Sequence, residues 1–365
     1  MVFEPASLCN RAHGLRADPH ECAWVVERAQ NKTMTDTDST GADFLIIGEA
    51  VIDIVRPAHH PDGSHDVEHV GGSPANVALG LARLGHRVRL ATALGAVAGT
   101  GPDRHARRIA ERLEASGVNI DAGSHRLART PTALATLDEA GSAQYRFDLA
   151  WEFDPAAHPA PTGHVHTGSI ATFLEPGATA LVDYLRGLRT GSDGIAAAHG
   201  THPSISFDPN IRPTLVGSRE EARARTEEIC ALADVVKASD EDLAFLYPGV
   251  PLTRVMRDWA GLGPALVVIT RGGAGALACT GGRVVELPAS PTAVVDTVGA
   301  GDSFMAGLLS GLADAGALGP WGPERTRRRL DPADCLPALQ RALAAASVTV
   351  GRAGADLPLR CELGA

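Results

Sequence analysis

Residues 296–303 read Asp-Thr-Val-Gly-Ala-Gly-Asp-Ser, a glycine turn with a carboxylate at its exit. Gly299 and Gly301 carry no Cβ, so successive backbone N–H groups can converge on one point. A helix starting here would add its macrodipole to those amides and favour an anion. Asp302 then stands where a phosphate would also go, which suggests chemistry beside the phosphate. The plainer alternative is that the glycines only permit tight packing and that Asp302 caps the helix. Two commoner nucleotide motifs do not fit. A dinucleotide fingerprint needs glycine where Phe304 stands, and a P-loop needs Gly-Lys, whereas the lysines Lys32 and Lys237 follow Asn31 and Val236.

Other polar groups sit at positions where ligands bind. Asp53 lies inside the apolar run 51–55, where a carboxylate without a partner is expensive to bury and a polyol would satisfy it. Gly71-Gly72-Ser73-Pro74-Ala75-Asn76 opens a helix in which Ser73 is placed as the cap and Pro74 at the first position. Val77, Leu81 and Leu84 form its buried stripe and Gly85 ends it. Asn76 then falls in the first turn beside Gly72, within reach of sugar hydroxyls, although an ordinary helix start explains the same letters. Asp208, Asn210 and Arg212 follow the apolar run 205–207, at the carboxyl end of a strand, where ligands of open α/β sheets lie. A simple Asp-Pro-Asn turn is the alternative.

Lys237 and Ser239 lead into Asp240, Glu241 and Asp242. Helix capping is the plain explanation. The functional one sets Lys237 and Ser239 at a nucleotide and Glu241 or Asp242 in a magnesium-water shell around its phosphates. Thr270, Gly272, Gly273 and Gly275, after a further apolar run, are placed to approach the nucleotide. His164 and His166 stand two apart, as on a strand, without HExxH or a comparable ligand set, which excludes a zinc enzyme of that kind.

The elements needed to bring these groups together can be read from hydrophobic pattern. Apolar runs at 44–47, 88–91, 165–168, 205–207, 235–237 and 266–270 alternate with helical stretches, as in a mostly parallel sheet covered by helices. The β-branched run 292–295 reads as extended. Phe304, Leu308 and Leu312, with Met305 beside Leu309, have helical period, so the glycine turn is expected to join a strand to a helix. Runs at 51–55 and 67–70, and at 132–137 and 143–149, read as two hairpins of a small sheet over one end of the core. Such a lid, with Tyr145, Phe147 and Trp151 shaping the acceptor site, would exclude water from a transfer reaction.

Composition bounds the possibilities. With 365 residues, 44% apolar and 21% charged, the chain can bury a large core. A net charge of -10 argues against nucleic acid and anionic membranes as partners. The six cysteines form no CxxC pair and fit a reducing cytoplasm, and no apolar stretch approaches the ~18 residues of a membrane span.

Together these segments resemble the ribokinase/PfkB family of sugar kinases over residues 43–358, most like bacterial fructokinases. The Asp296 to Asp302 run is close to the family signature. Supporting it in order are Gly48-Glu49-Ala50-Val51-Ile52-Asp53, the helix start at 71–85, the segments 166–176 and 207–213, and 345–358 with Arg352-Ala353-Gly354-Ala355-Asp356. The resemblance implies a ribokinase-like three-layer α/β/α core with a mostly parallel sheet and a small β lid. Residues 1–40 become an N-terminal extension and 41–361 the kinase domain, with lid strands from about 51–70 and 131–150.

It also implies transfer of the ATP γ-phosphoryl group to a primary sugar hydroxyl, fructose foremost. Asp302 would act as base, the amides of Gly299, Ala300 and Gly301 as an anion hole, and Asp53, Gly72 and Asn76 as sugar contacts. Magnesium accompanies ATP in the family, and potassium is often found near the positions of Asp296 and Thr297. A homodimer through the lid is a further implication. Two departures stand out: Ser239-Asp240-Glu241-Asp242 replaces the usual Asn-x-x-Glu or Ser-x-x-Glu, leaving the acid open, and Val298 replaces a frequent threonine. A 2-keto-3-deoxygluconate kinase, using Arg212 for its acid, is the near alternative, and a sugar or nucleotide sensor without turnover the distant one.

Overall fold

The computed structural model describes residues 43–58, 60, 63–138, 143–161, 163–191, 202–319, 330 and 332–364, so the expected extension at 1–40 lies outside the described residues. The strands are β1 (Asp43–Ile47), β2 (Val51–Arg56), β3 (Val67–Gly71), β4 (Arg87–Ala91), β5 (Leu94–Val97), β6 (Gly101–Pro102), β7 (Val118–Ile120) and β8 (His125–Leu127). They continue with β9 (Thr132–Leu137), β10 (Ala143–Asp148), β11 (His164–Gly168), β12 (Ser204–Asp208), β13 (Val235–Ser239), β14 (Leu266–Thr270), β15 (Ala276–Thr280) and β16 (Arg283–Leu287). The helices that matter here are α1 (Ser73–Arg83), α2 (Arg104–Glu114), α3 (Gly177–Thr190), α4 (Arg219–Leu232), α5 (Asp240–Leu246), α6 (Leu252–Leu262), α7 (Ala300–Asp314) and α8 (Pro332–Val350).

Among the described residues a nine-stranded sheet runs β16-β15-β14-β13-β12-β11-β1-β4-β7. Every pair from β7 to β14 is parallel, and only β15 and β16 turn antiparallel at one edge. Successive strand residues point to opposite faces, so each strand feeds two cores. Phe44, Ile46, Val235 and Val268 pack with α1, α2, α7 and α8. Leu45, Ile47, Val236 and Val267 pack with α3, α4, α5 and α6. The three layers and all six expected strands of the core follow from that pattern.

The two hairpins pair into a four-stranded sheet, β10-β9-β2-β3, with β2 and β9 parallel in the middle. Its register sets Phe147, Ala133, Asp53 and His69 in one row on one face. A third small sheet, β6-β5-β8, lies between lid and core in sequence. Among the described residues no helix is long and apolar enough to cross a membrane.

Two expectations need correction. No strand forms at 292–295: Val294 and Val295 are exposed, and the N–H groups of Val295 and Asp296 donate to the Val350 carbonyl at the end of α8. β-branched residues signal a fit to a pleated surface, and here a helix terminus takes the backbone donors instead. Trp151 is not a lid residue. It is 2% exposed, and a Cβ on Gly177, the first residue of α3, would collide with its indole, which places Trp151 in the second core.

Candidate active site

The glycine turn enters α7 as its spacing predicts, though from a loop. Gly299 is the N-cap residue at φ 77°, and a Cβ there would lie 2.7 Å from that of Ala355, so both conformation and space require glycine. A Cβ on Gly301 would meet the Lys237 ammonium at 3.0 Å. Absence of that one carbon is what lets a cation sit against the start of the helix. The Ser303 N–H donates to the Gly299 carbonyl to close the first turn, and the Ala300 N–H makes a long 3.2 Å bond to the Thr297 carbonyl. Asp296 accepts from the Val298 and Gly354 amides at 3.0 and 2.8 Å, which hold its carboxyl below the usual range and staple the loop to the chain's end.

Asp302 is the third residue of α7 and is buried. It does not cap the helix. Ser73 Oγ donates to its Oδ1 at 2.6 Å and Asn76 Nδ2 to its Oδ2 at 2.8 Å. Ser73 is therefore not the cap of α1 that the sequence suggests: Gly72, at φ 100°, is the N-cap residue and no side chain caps this helix. The physical reason is positional: Ser73 is already the first residue of the helix, with its hydroxyl turned to Asp302, and the N-cap residue before it is a glycine with no side-chain oxygen to accept from the first-turn amides. Gly72 must also be small, because a Cβ would lie 2.5 Å from the Glu49 carbonyl oxygen.

Behind this clamp lies a buried ion pair. Lys237 Nζ donates to Asp208 Oδ2 at 2.7 Å, with both side chains at most 5% exposed. Burial pushes Asp208 up to about 6 against the pull of Lys237, so it is still ionised at neutral pH. Burial alone would lower Lys237, but Asp208 first, then Asp302 and Asp242, raise it and keep it charged. Asp208 Oδ1 is buried with no hydrogen-bond partner among the described residues. Asp242 is occupied otherwise. It accepts from the Ser239 amide and hydroxyl in a capping box for α5 and from the Ile211 amide at 2.7 Å, tying that helix to the loop after β12. Glu241 is exposed one residue earlier.

In the loop after β12, Asn210 takes a positive φ of 39° and its Oδ1 accepts from Arg212 at 2.9 Å. Burial raises Asp53, opposed by the charges of His69 and Arg212. Thr270 ends β14, and Gly272, Gly273 and Gly275 form the turn beyond it, at the same carboxyl edge of the sheet. The lid aromatics Tyr145 and Phe147 are exposed and stacked 6.0 Å apart.

Two groups escaped the sequence reading. Ser73 was seen only as a helix start. Glu49, buried between β1 and β2, accepts from the Ala171 amide at 3.1 Å, and burial pushes its carboxyl up to about 7. An acid flanked by two apolar strands was the available signal.

A buried carboxylate clamped at a glycine-entered, lysine-backed helix start is an arrangement suited to phosphoryl transfer, and the family comparisons make the chain a phosphotransferase with an alcohol acceptor. The chain belongs to the family described as pfkB family carbohydrate kinase, which matches residues 42–360, and it is an ATP-dependent sugar kinase. It is 34% identical to a fructokinase of Klebsiella pneumoniae over 74% of this chain and 84% of that one. A fructokinase of Escherichia coli is 31% identical over 88% of this chain and 98% of the other. A crystal structure of a Vibrio cholerae fructokinase double mutant with fructose, ADP and potassium bound superposes with a TM-score of 0.69 at 25% identity, covering 87% of this chain and 95% of that one. Aminoimidazole riboside kinase from Salmonella enterica matches equally well, with TM-score 0.69, 25% identity and coverage of 88% and 98%.

Proposed function

We propose that this sugar kinase acts on fructose in the cytoplasm, with Asp302 as the base. The observation that carries the reading is the placement of Asp302 at the crossing of α1 and α7, at the exit of the glycine turn and clamped by Ser73 and Asn76. Asp302 would align the acceptor hydroxyl and take its proton as the oxygen bonds to the γ-phosphorus and ADP departs. An ordinary aspartate is a weak base for an alcohol, but a loose transition state puts little charge on the attacking oxygen early, so positioning dominates. Amides at Gly299, Ala300 and Gly301, backed by Lys237, would stabilise the transferring group. Ser239, Thr270, Gly272, Gly273 and Gly275 are assigned to the nucleotide, and Asp53, Gly72, Asn76, Asp208, Asn210 and Arg212 to the sugar side.

Magnesium fits the donor set, because a small ion that keeps its waters needs few carboxylates, and Asp208 Oδ1, buried with no hydrogen-bond partner among the described residues, is a donor for it as an alternative to the sugar-side assignment. Glu241, being exposed, is the better of the two neighbouring acids to join that water shell, since Asp242 already serves as a cap. When bound, the ion would neutralise phosphate charge. Asp296 and Thr297 are assigned to a potassium site, supported by the anionic state of Asp296 and by the potassium of the Vibrio relative. A homodimer through the lid is supported by its exposed aromatics.

Arg212 favours one second reading, a sugar acid such as 2-keto-3-deoxygluconate as acceptor, because its charge reaches Asp53. A panel of sugars and sugar acids with ATP decides between them, and fructose should give the highest kcat/KM. Asp302→Asn should lower turnover by roughly 10²–10⁴-fold while ATP binding survives. Near-normal turnover in that variant, with any sugar, would overturn the assignment, and ligand binding without ATP consumption by the unaltered protein would leave a sensor.

A further inference from the structure

Resting on the reading of Asp302 as the base, we propose that Ser73 is a positioning residue for phosphoryl transfer: its hydroxyl, donated to Asp302 Oδ1, fixes the carboxylate plane and leaves the remaining lone pairs to the acceptor hydroxyl. The bond is 2.6 Å long and buried, in the range of a charge-assisted O–H···O⁻ contact. Asn76 holds the other oxygen at 2.8 Å, so neither rotation nor tilt of the carboxylate is free. Each carboxylate oxygen has two lone pairs, and each donor uses one.

The two helices cannot slide relative to each other. A Cβ on Gly80 of α1 would lie 2.7 Å from the Cβ of Ala306 on α7 and 2.5 Å from Leu357. This close approach delivers the first turn of α1 to Asp302. On α7 itself, Ser303 is held from behind by Thr349 of α8, at 2.8 Å. Lys237 from β13, Asp208 from β12 and Glu49 from the β1–β2 link face the same carboxylate electrostatically, and none of them is altered by a change at Ser73.

The proton balance is simple: Asp302 takes the hydroxyl proton as the O–P bond forms and the bond to ADP breaks, and the proton passes to solvent after the products leave. The two donors hold the carboxylate in one orientation through that cycle. A merely packed serine would have no part in this.

Ser73→Ala is the test, because alanine is the better helix former and preserves α1. With ATP and fructose, kcat should fall about tenfold through loss of orientation, with the KM for ATP unchanged. The KM for fructose should move less than kcat, because Ser73 is assigned no sugar contact. Ser73→Thr, which keeps the hydroxyl, should restore kcat. An unchanged kcat in Ser73→Ala overturns the inference, and so does a Ser73→Thr variant as slow as Ser73→Ala, since loss of packing rather than of the hydroxyl would then explain the fall. Asp302→Asn, measured alongside, separates the two failures: near-normal turnover there removes the base itself, and Ser73 with it.

Discussion

Glu49 is a buried acid that couples the stability of the fold to pH. Its carboxyl is buried between the β1–β2 link and the 3-10 turn Ser169–Thr172, and burial raises it to about 7, with the Asp302 charge adding a smaller push in the same direction. In the unfolded chain it titrates near 4.5. Between those values the folded protein keeps a proton that the unfolded chain has lost, so stability falls as pH rises across that window and levels off above it. The full difference is about 3 kcal/mol. Glu49→Gln is neutral at every pH and should flatten that slope. In urea unfolding between pH 5 and 8, the unaltered protein should lose about 3 kcal/mol more than the variant, and parallel curves would show that Glu49 is ionised without penalty. At this scale Asp302 was readable because backbone geometry demands glycine at fixed offsets around it. The partner of Ser73 was not, since it lies 229 residues away and only helix packing brings it near.

At the scale of elements, the site is a junction between helix starts. α1 and α7 both present their first turns to the carboxyl edge of the parallel strands, and the small residues Gly80 and Ala306 let them touch. Gly80→Ala should therefore do more than add a methyl group. Overpacking of this kind costs about 1–3 kcal/mol, and the forced separation should pull Ser73 and Asn76 away from Asp302. The expected result is a kcat reduced by at least about tenfold with a smaller change in the KM for ATP, since Ser239, Thr270, Gly272, Gly273 and Gly275, assigned to the nucleotide, lie on other elements than α1 and α7. Loss of stability with kcat intact would mean that α1 and α7 can part without disturbing the clamp. The hydrophobic periods of both helices were plain in the sequence, as was the end of α1 at Gly85. The run 292–295 misled because β-branched residues describe a preference for sheet, and no sheet edge stands beside them.

At the scale of the whole molecule, alternating strands and helices gave away the layered core, because each apolar run must be covered on both faces. The lid was visible as hairpins, but which of its faces looked where depended on register. That register puts Tyr145 in a row with Ala135, Val55 and Val67, and Phe147 in the row of Asp53. One lid face thus carries both the half-buried Asp53 and an apolar fringe, with Tyr145 65%, Val67 50% and Phe147 39% exposed. Aromatic side chains left in water at a sheet edge invite a partner, and a second copy supplies a self-complementary one. A stable interface buries about 800 Å² per subunit. With 65% and 39% of their surfaces still exposed, Tyr145 and Phe147 keep only part of the roughly 150–250 Å² an aromatic can bury and would supply about a quarter of that, leaving the rest to Val55, Val67 and the lid rim. Light scattering at micromolar concentration should therefore give twice the 37.8 kDa chain mass. Tyr145→Ser combined with Phe147→Ser should return the monomer and, on the proposed reading that this face shapes the acceptor site, raise the KM for fructose more than that for ATP. A monomeric unaltered protein would refute lid pairing and leave the apolar fringe as part of the sugar site alone.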